Sequence, residues 1–103
     1  MPKRTRSYEE DLSKRLRDPK YAAGYLDAVL QDSEKDSKER FLLALRDVAK
    51  AYGMTKLAQD TDMAREAMYR ALSENGNPEL GTLTALLDAI GLRLSVDVKK
   101  KAS

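Results

Sequence analysis

The sequence predicts a mainly α-helical fold of five to six helices, with a helix-turn-helix at its centre and one strand at its C-terminal end. Three observations predict it. Apolar residues recur at helical spacing along most of the chain. Residues 57–72 read as two short helices joined by a tight turn. From Leu92 onward the period changes: Leu92, Leu94, Val96 and Val98 alternate with Arg93, Ser95, Asp97 and Lys99, the pattern of a half-buried strand.

The elements follow in order. Ser7-Tyr8-Glu9-Glu10 fits a capping box, so a short helix is expected to about Leu16, with Tyr8, Leu12 and Leu16 on one face. Asp18 caps a second helix and Pro19 suits its first position, where a missing N–H costs nothing. Ala22, Tyr25, Leu26, Val29 and Leu30 supply its apolar spacing, and residues 31–36 form a polar break. Ser37 is the expected cap of a third helix, whose stripe is Phe41, Leu42, Leu45, Val48, Ala49 and Tyr52. Gly53 stops it, and Thr55 is expected to cap the next helix. Residues 73–78, Ser-Glu-Asn-Gly-Asn-Pro, are a strong turn signal. Thr82 is expected to cap a last helix carrying Leu83, Leu86, Leu87 and Ile90, and Gly91 ends it.

A lone strand in a helical chain needs partners for its backbone and cover for its apolar face. A second copy of the strand supplies both, which makes Leu92, Leu94, Val96 and Val98 the expected dimer interface. Another protein or the N-terminal segment could also supply the missing edge. The organisation expected is an N-terminal helical extension, residues 1–36, followed by a helix-turn-helix unit with the C-terminal strand, residues 37–103.

Composition narrows the function. The 103 residues are enough for one small core. His and Cys are both absent, which removes imidazole bases, thiol nucleophiles, disulfides and the usual zinc ligands. Carboxylates are plentiful, but no pair sits in a catalytic setting, so no enzyme and no cofactor are expected. No apolar run approaches the ~20 residues of a membrane span and no signal peptide is visible. A chain without cysteine suits the cytoplasm. The formal net charge is only +2, so affinity for nucleic acid would need a local arrangement of cations, doubled by dimerisation.

Residues 57–72 provide such an arrangement. Ala58 is small where the two helices would cross, and Met63, Met68, Ala71 and Leu72 would face the core. That leaves Arg65, Glu66, Tyr69 and Arg70 on the outer side of the second helix, a set suited to the major groove of DNA. Arg65 can bond two acceptors on guanine, and Glu66 can accept from cytosine. Tyr69 and Arg70 lie one turn on, at phosphate height. Thr55, Lys56 and Gln59 sit near the start of the first helix, which would cross the DNA backbone, and Asn75 and Asn77 follow the second. Two positions depart from the general pattern. Asp62 stands where the turn often has Gly, and Asp tolerates the left-handed conformation better than most residues. Ala64 stands at the cap, where it cannot bond an early N–H, a loss of about 1 kcal/mol.

The chain resembles the downstream-encoded antidote proteins of bacterial type II toxin–antitoxin (addiction) modules, in the HigA-like branch with a Cro/lambda-repressor-type domain. The resemblance covers nearly the whole chain. It is carried by residues 16–19, 22–26, 41–49, 53–54, 57–58 and 87–94, and above all by the long block from Arg65 to Pro78. Members typically have Ser before the Arg-Glu pair, where this chain has Ala64. The resemblance implies a dimer that binds operator DNA, represses its own operon and masks a small basic toxin of the RelE/ParE superfamily. The toxin surface it suggests lies on the N-terminal helices, Tyr8 to Leu30, with acidic Asp27, Asp32, Glu34 and Asp36 nearby. The sequence leaves two alternatives: a stand-alone, prophage-type helix-turn-helix regulator with no toxin, and an adaptor in which the helix pair is only scaffold.

Overall fold

The computed structural model describes residues 5–32 and 35–99. They form six helices: α1 (Arg6–Leu16), α2 (Pro19–Gln31), α3 (Ser37–Tyr52), α4 (Met54–Thr61), α5 (Arg65–Ala71) and α6 (Leu80–Ile90). The fold is therefore all-α, and each expected helix is present. Several begin earlier than their expected caps. Thr5, not Ser7, caps α1 by accepting a hydrogen bond from the Tyr8 N–H at 3.1 Å. Asp36, Gly53 and Glu79 occupy the cap positions of α3, α4 and α6, none with a side-chain cap bond, so Ser37, Thr55 and Thr82 all lie inside their helices. Asp18 caps α2 as expected, its carboxylate accepting from the Lys20 N–H at 3.0 Å with Pro19 behind it.

One apolar cluster runs through all six helices. The long α3 is its axis: Leu45, Val48 and Ala49 are fully buried there. On one side α1 and α2 pack against α3 through Leu12, Leu16, Ala22 and Leu26. The Tyr25 hydroxyl fastens that layer by donating to the Asp47 carboxylate at 2.8 Å. On the other side α4 packs against α3 and α6, with Leu57, Leu72 and Leu86 fully buried. Tyr8 and Leu30, expected on apolar faces, are exposed instead. No helix among the described residues is long and apolar enough to cross a membrane.

The expected C-terminal strand is absent. Residues 92–99 have no regular secondary structure, and Val96 and Val98 are 96% and 94% exposed. The alternation is real but a strand is defined by its partner, and no second edge lies within the described part of one chain. Leu92 also departs from the expected interface. Gly91 ends α6 in the left-handed conformation (φ 97°), and the Leu92 N–H donates to the Leu87 carbonyl at 2.8 Å while the Gly91 N–H donates to Asp88 at 3.0 Å. This is a Schellman closure, which brings the residue after the glycine back onto the helix. Leu92 accordingly packs against its own core, and the free tail begins at Arg93.

Candidate nucleic-acid interface

The turn between α4 and α5 is built from backbone chemistry. Asp62 adopts the left-handed conformation (φ 55°, ψ 37°), the one non-glycine residue with positive φ among those described. Its N–H bonds Gln59 O at 3.4 Å, and the Met63 N–H bonds Ala58 O at 3.1 Å. These two bonds make a second Schellman closure, with half-buried Met63 as its apolar anchor. The Thr61 hydroxyl adds a bond to the Leu57 carbonyl at 2.7 Å. Ala58, buried under the turn, leaves room for the close approach of α5.

Helix α5 begins at Arg65 and has Ala64 at its N-cap, in an extended conformation and without a side-chain bond. Met68 is fully buried, and Leu72, directly after the helix, is too. Steps of ~100° per residue then leave Arg65, Glu66, Tyr69 and Arg70 on the opposite side. Arg65, Glu66 and Arg70 are exposed, and they make no side-chain hydrogen bond or ion pair among the described residues. Tyr69 is half-buried, under the guanidinium of Arg46 from α3, whose carbon lies 5.3 Å from the ring centroid. Thr55, Lys56 and Gln59 are exposed along α4. Lys56 is not simply solvated, because its ammonium sits 4.7 Å from the ring centroid of Tyr52. The Tyr52 hydroxyl in turn donates to Asp60 at 2.6 Å, a hydrogen bond that raises the phenol above its ordinary pKa.

Asn75 and Asn77 are also exposed, on either side of buried Gly76. Gly76 has no alternative: a Cβ there would collide with the Ala71 carbonyl and lie 2.8 Å from the Arg70 carbonyl. Its own N–H bonds Ser73 O at 2.9 Å, closing the loop tightly against the end of α5. The nine residues picked out by sequence thus lie on or beside one pair of consecutive helices.

Arg46 was not among them. It stands four residues after Leu42 and three before Ala49, both buried, and that spacing is the signal that it faces inward. Its Nε is buried without a hydrogen-bond partner. The acidic residues near α2 are less free than their sequence suggests. Asp32 accepts from Arg40 at 2.7 Å, Asp36 lies 3.9 Å from the same guanidinium, and Asp27 accepts from Gln31 at 3.5 Å. Glu34 lies outside the described residues. No cluster of metal-ligating side chains occurs among the described residues.

Comparison with known proteins adds the following. The family model described as "probable addiction module antidote protein" matches residues 6–98. A protein of Haemophilus influenzae described as uncharacterized is 37% identical over 78 residues, which is 76% of this chain and 77% of its own. No solved structure matches the chain.

Proposed function

The chain belongs to the family of probable addiction module antidote proteins, and on that premise we propose that it is the antitoxin of a type II module, a dimer that represses its own operon by binding operator DNA through α4 and α5 as a helix-turn-helix. One observation carries the DNA-binding part: the exposed side of α5 holds Arg65, Glu66 and Arg70 with no side-chain partner among the described residues, while Met68 anchors the helix beneath. Guanidinium donors with no internal carboxylate remain available to acceptors on a duplex.

In this mechanism Arg65 reads guanine in the major groove and Glu66 accepts from cytosine. Tyr69, Arg70, Asn75 and Asn77 contact phosphates beside them, and Thr55, Lys56 and Gln59 contact the backbone that α4 crosses. Two copies present their α5 helices about 34 Å apart, or a multiple of that, so the operator is palindromic. The C-terminal tails, through Leu94, Val96 and Val98, join the copies. Residues 37–103 make the DNA-binding unit, and the N-terminal extension, residues 1–36, carries the surface for a RelE/ParE-like toxin, with exposed Tyr8, Tyr21 and Leu30 as its apolar contacts.

The test is a gel shift on the chain's own promoter across a salt series. Binding falls steeply with salt, because phosphate contacts release counterions. Arg65→Ala costs about 1–3 kcal/mol and relaxes preference at one base step per half-site. Binding by that variant with unchanged strength and selectivity would remove Arg65 from base readout, and salt-independent binding would point away from DNA contacts of this kind.

A further inference from the structure

The tail after Leu92 carries more information than its lack of regular structure suggests. Leu94, Val96 and Val98 are exposed, the last two almost completely. Leu92 is the last residue of the tail whose N–H bonds another backbone group among the described residues. Arg93 and Asp97 are exposed and make no ion pair among the described residues. The tail also borders an open groove of about 600 Å³, walled by Ala23, Asp27 and Leu30 of α2 and floored by Leu26 and Phe41. A two-stranded ribbon is marginal alone and needs a surface to lie on; the groove offers one.

We propose that this tail pairs antiparallel with the same tail of a second copy, in a single register centred on Ser95. The proposal rests on the dimeric reading above and specifies its geometry. Residues facing each other across an antiparallel pair lie on the same face of the ribbon. Only registers that match even positions with even positions therefore keep the apolar residues together, because a one-residue slip mixes the faces.

Charge then selects among those registers. Centred on Ser95, each Arg93 faces Asp97 of the other copy, twice by symmetry, and each Leu94 faces Val96. Centred on Val96, each Arg93 faces Lys99, a repulsion that also occurs twice. Centred on Leu94, Arg93 faces Ser95 and no opposite charges meet. A parallel pair related by a twofold axis would stack each charge on its own copy. The Ser95 register is the arrangement in which the apolar and ionic matches agree, and a twofold axis through Ser95 makes the interface closed and self-complementary.

Two measurements test it on the intact protein. The first is the dimer dissociation constant at low salt, from sedimentation. Arg93→Asp or Asp97→Arg alone weakens the dimer by roughly tenfold, since each turns two attractive pairs into repulsive ones, and both together in one chain restore it. The second uses the cysteine-free background. Ser95→Cys cross-links into a disulfide dimer, because facing Cα atoms lie about 4.5–5.5 Å apart. Val96→Cys does not, its two copies being offset by two residues, beyond the ~7 Å limit.

A dimer tightened by Arg93→Asp, or cross-linked by Val96→Cys and not by Ser95→Cys, would establish the register centred on Val96 and overturn the proposal. A dimer indifferent to both charge reversals would overturn it as well, leaving the register centred on Leu94 or an interface away from the tail. A parent protein that stays monomeric at every concentration would remove the dimer itself.

Discussion

The guanidinium of Arg46 lies over the ring of Tyr69, 5.3 Å from its centroid, and ties the central helix α3 to the exposed helix α5. Helix α5 has seven residues, one fully buried side chain and no side-chain cap, so few contacts fix its orientation. The Arg46 contact is one of them. With Nε buried and unbonded, the guanidinium gains its attraction from the ring face. Arg46→Met is expected to weaken operator binding about two- to fivefold, the equivalent of 0.5–1 kcal/mol. Tyr69→Phe keeps the ring and the stack and loses only the hydroxyl's phosphate contact, while Tyr69→Leu loses both. A double-mutant cycle on DNA affinity measures the coupling, and additive losses would show that the stack does not position α5.

Ala64 leaves the first turn of α5 without a side-chain acceptor, although its backbone (φ −68°, ψ 140°) already has the extended geometry of a cap. Its side chain is exposed, so a larger residue meets no obstacle there. Ala64→Ser should raise stability by about 1 kcal/mol, read as a higher urea midpoint with an unchanged slope. An unchanged midpoint would mean that the serine hydroxyl does not reach the early N–H groups.

Gly76 is required by space, not by an unusual backbone angle. Gly76→Ala pushes a methyl group against the carbonyls of Arg70 and Ala71, neither of which is a flexible side-chain end. The expected cost is about 1–3 kcal/mol in denaturant unfolding. Because the same loop holds Asn75 and Asn77, operator affinity should fall along with it. The neighbouring Asn77→Ala, in an exposed position, should spare stability and touch only affinity.

Tyr52 gives the protein an alkaline signature. Its hydrogen bond to Asp60 raises the phenol above its ordinary pKa of about 10. A raised folded-state value means that the contribution is fully present below pH ~10 and is lost as pH rises through the folded value. Tyr52→Phe should therefore be less stable than the parent at neutral pH and should lose less as pH climbs past 10. Parallel stability curves for the two proteins over that range would show that the bond contributes nothing.

Much of this fold is legible in the sequence because helical periodicity is a local property. The stripe Phe41, Leu42, Leu45, Val48, Ala49 predicts the buried side of α3, and all five are buried. Asp18-Pro19, Gly53, Asp62 and Gly91 mark helix ends for local reasons, a carboxylate cap before a proline and three residues of positive φ. Caps were less legible, since Ser and Thr are equally comfortable inside a first turn: Thr5 took the place of Ser7, and Thr55 and Thr82 joined their helices. The tail's alternation states a preference for pairing and cannot name the partner, so the strand it predicts is not formed within one chain. The exposed side of α5 followed from spacing alone, whereas the Arg46–Tyr69 contact spans 23 positions and has no local signature beyond an arginine among buried neighbours.

The closure at Gly91 and Leu92 divides the molecule into two parts with different fates under attack by a protease. Among the described residues every buried side chain precedes it, and the backbone bond to Leu87 pins the chain where the helical body ends. A protease acting on the exposed residues 93–99 would therefore cut there and be stopped by packed structure at Leu92. What survives would be a folded body still carrying α4 and α5, but stripped of the segment that we propose joins two copies.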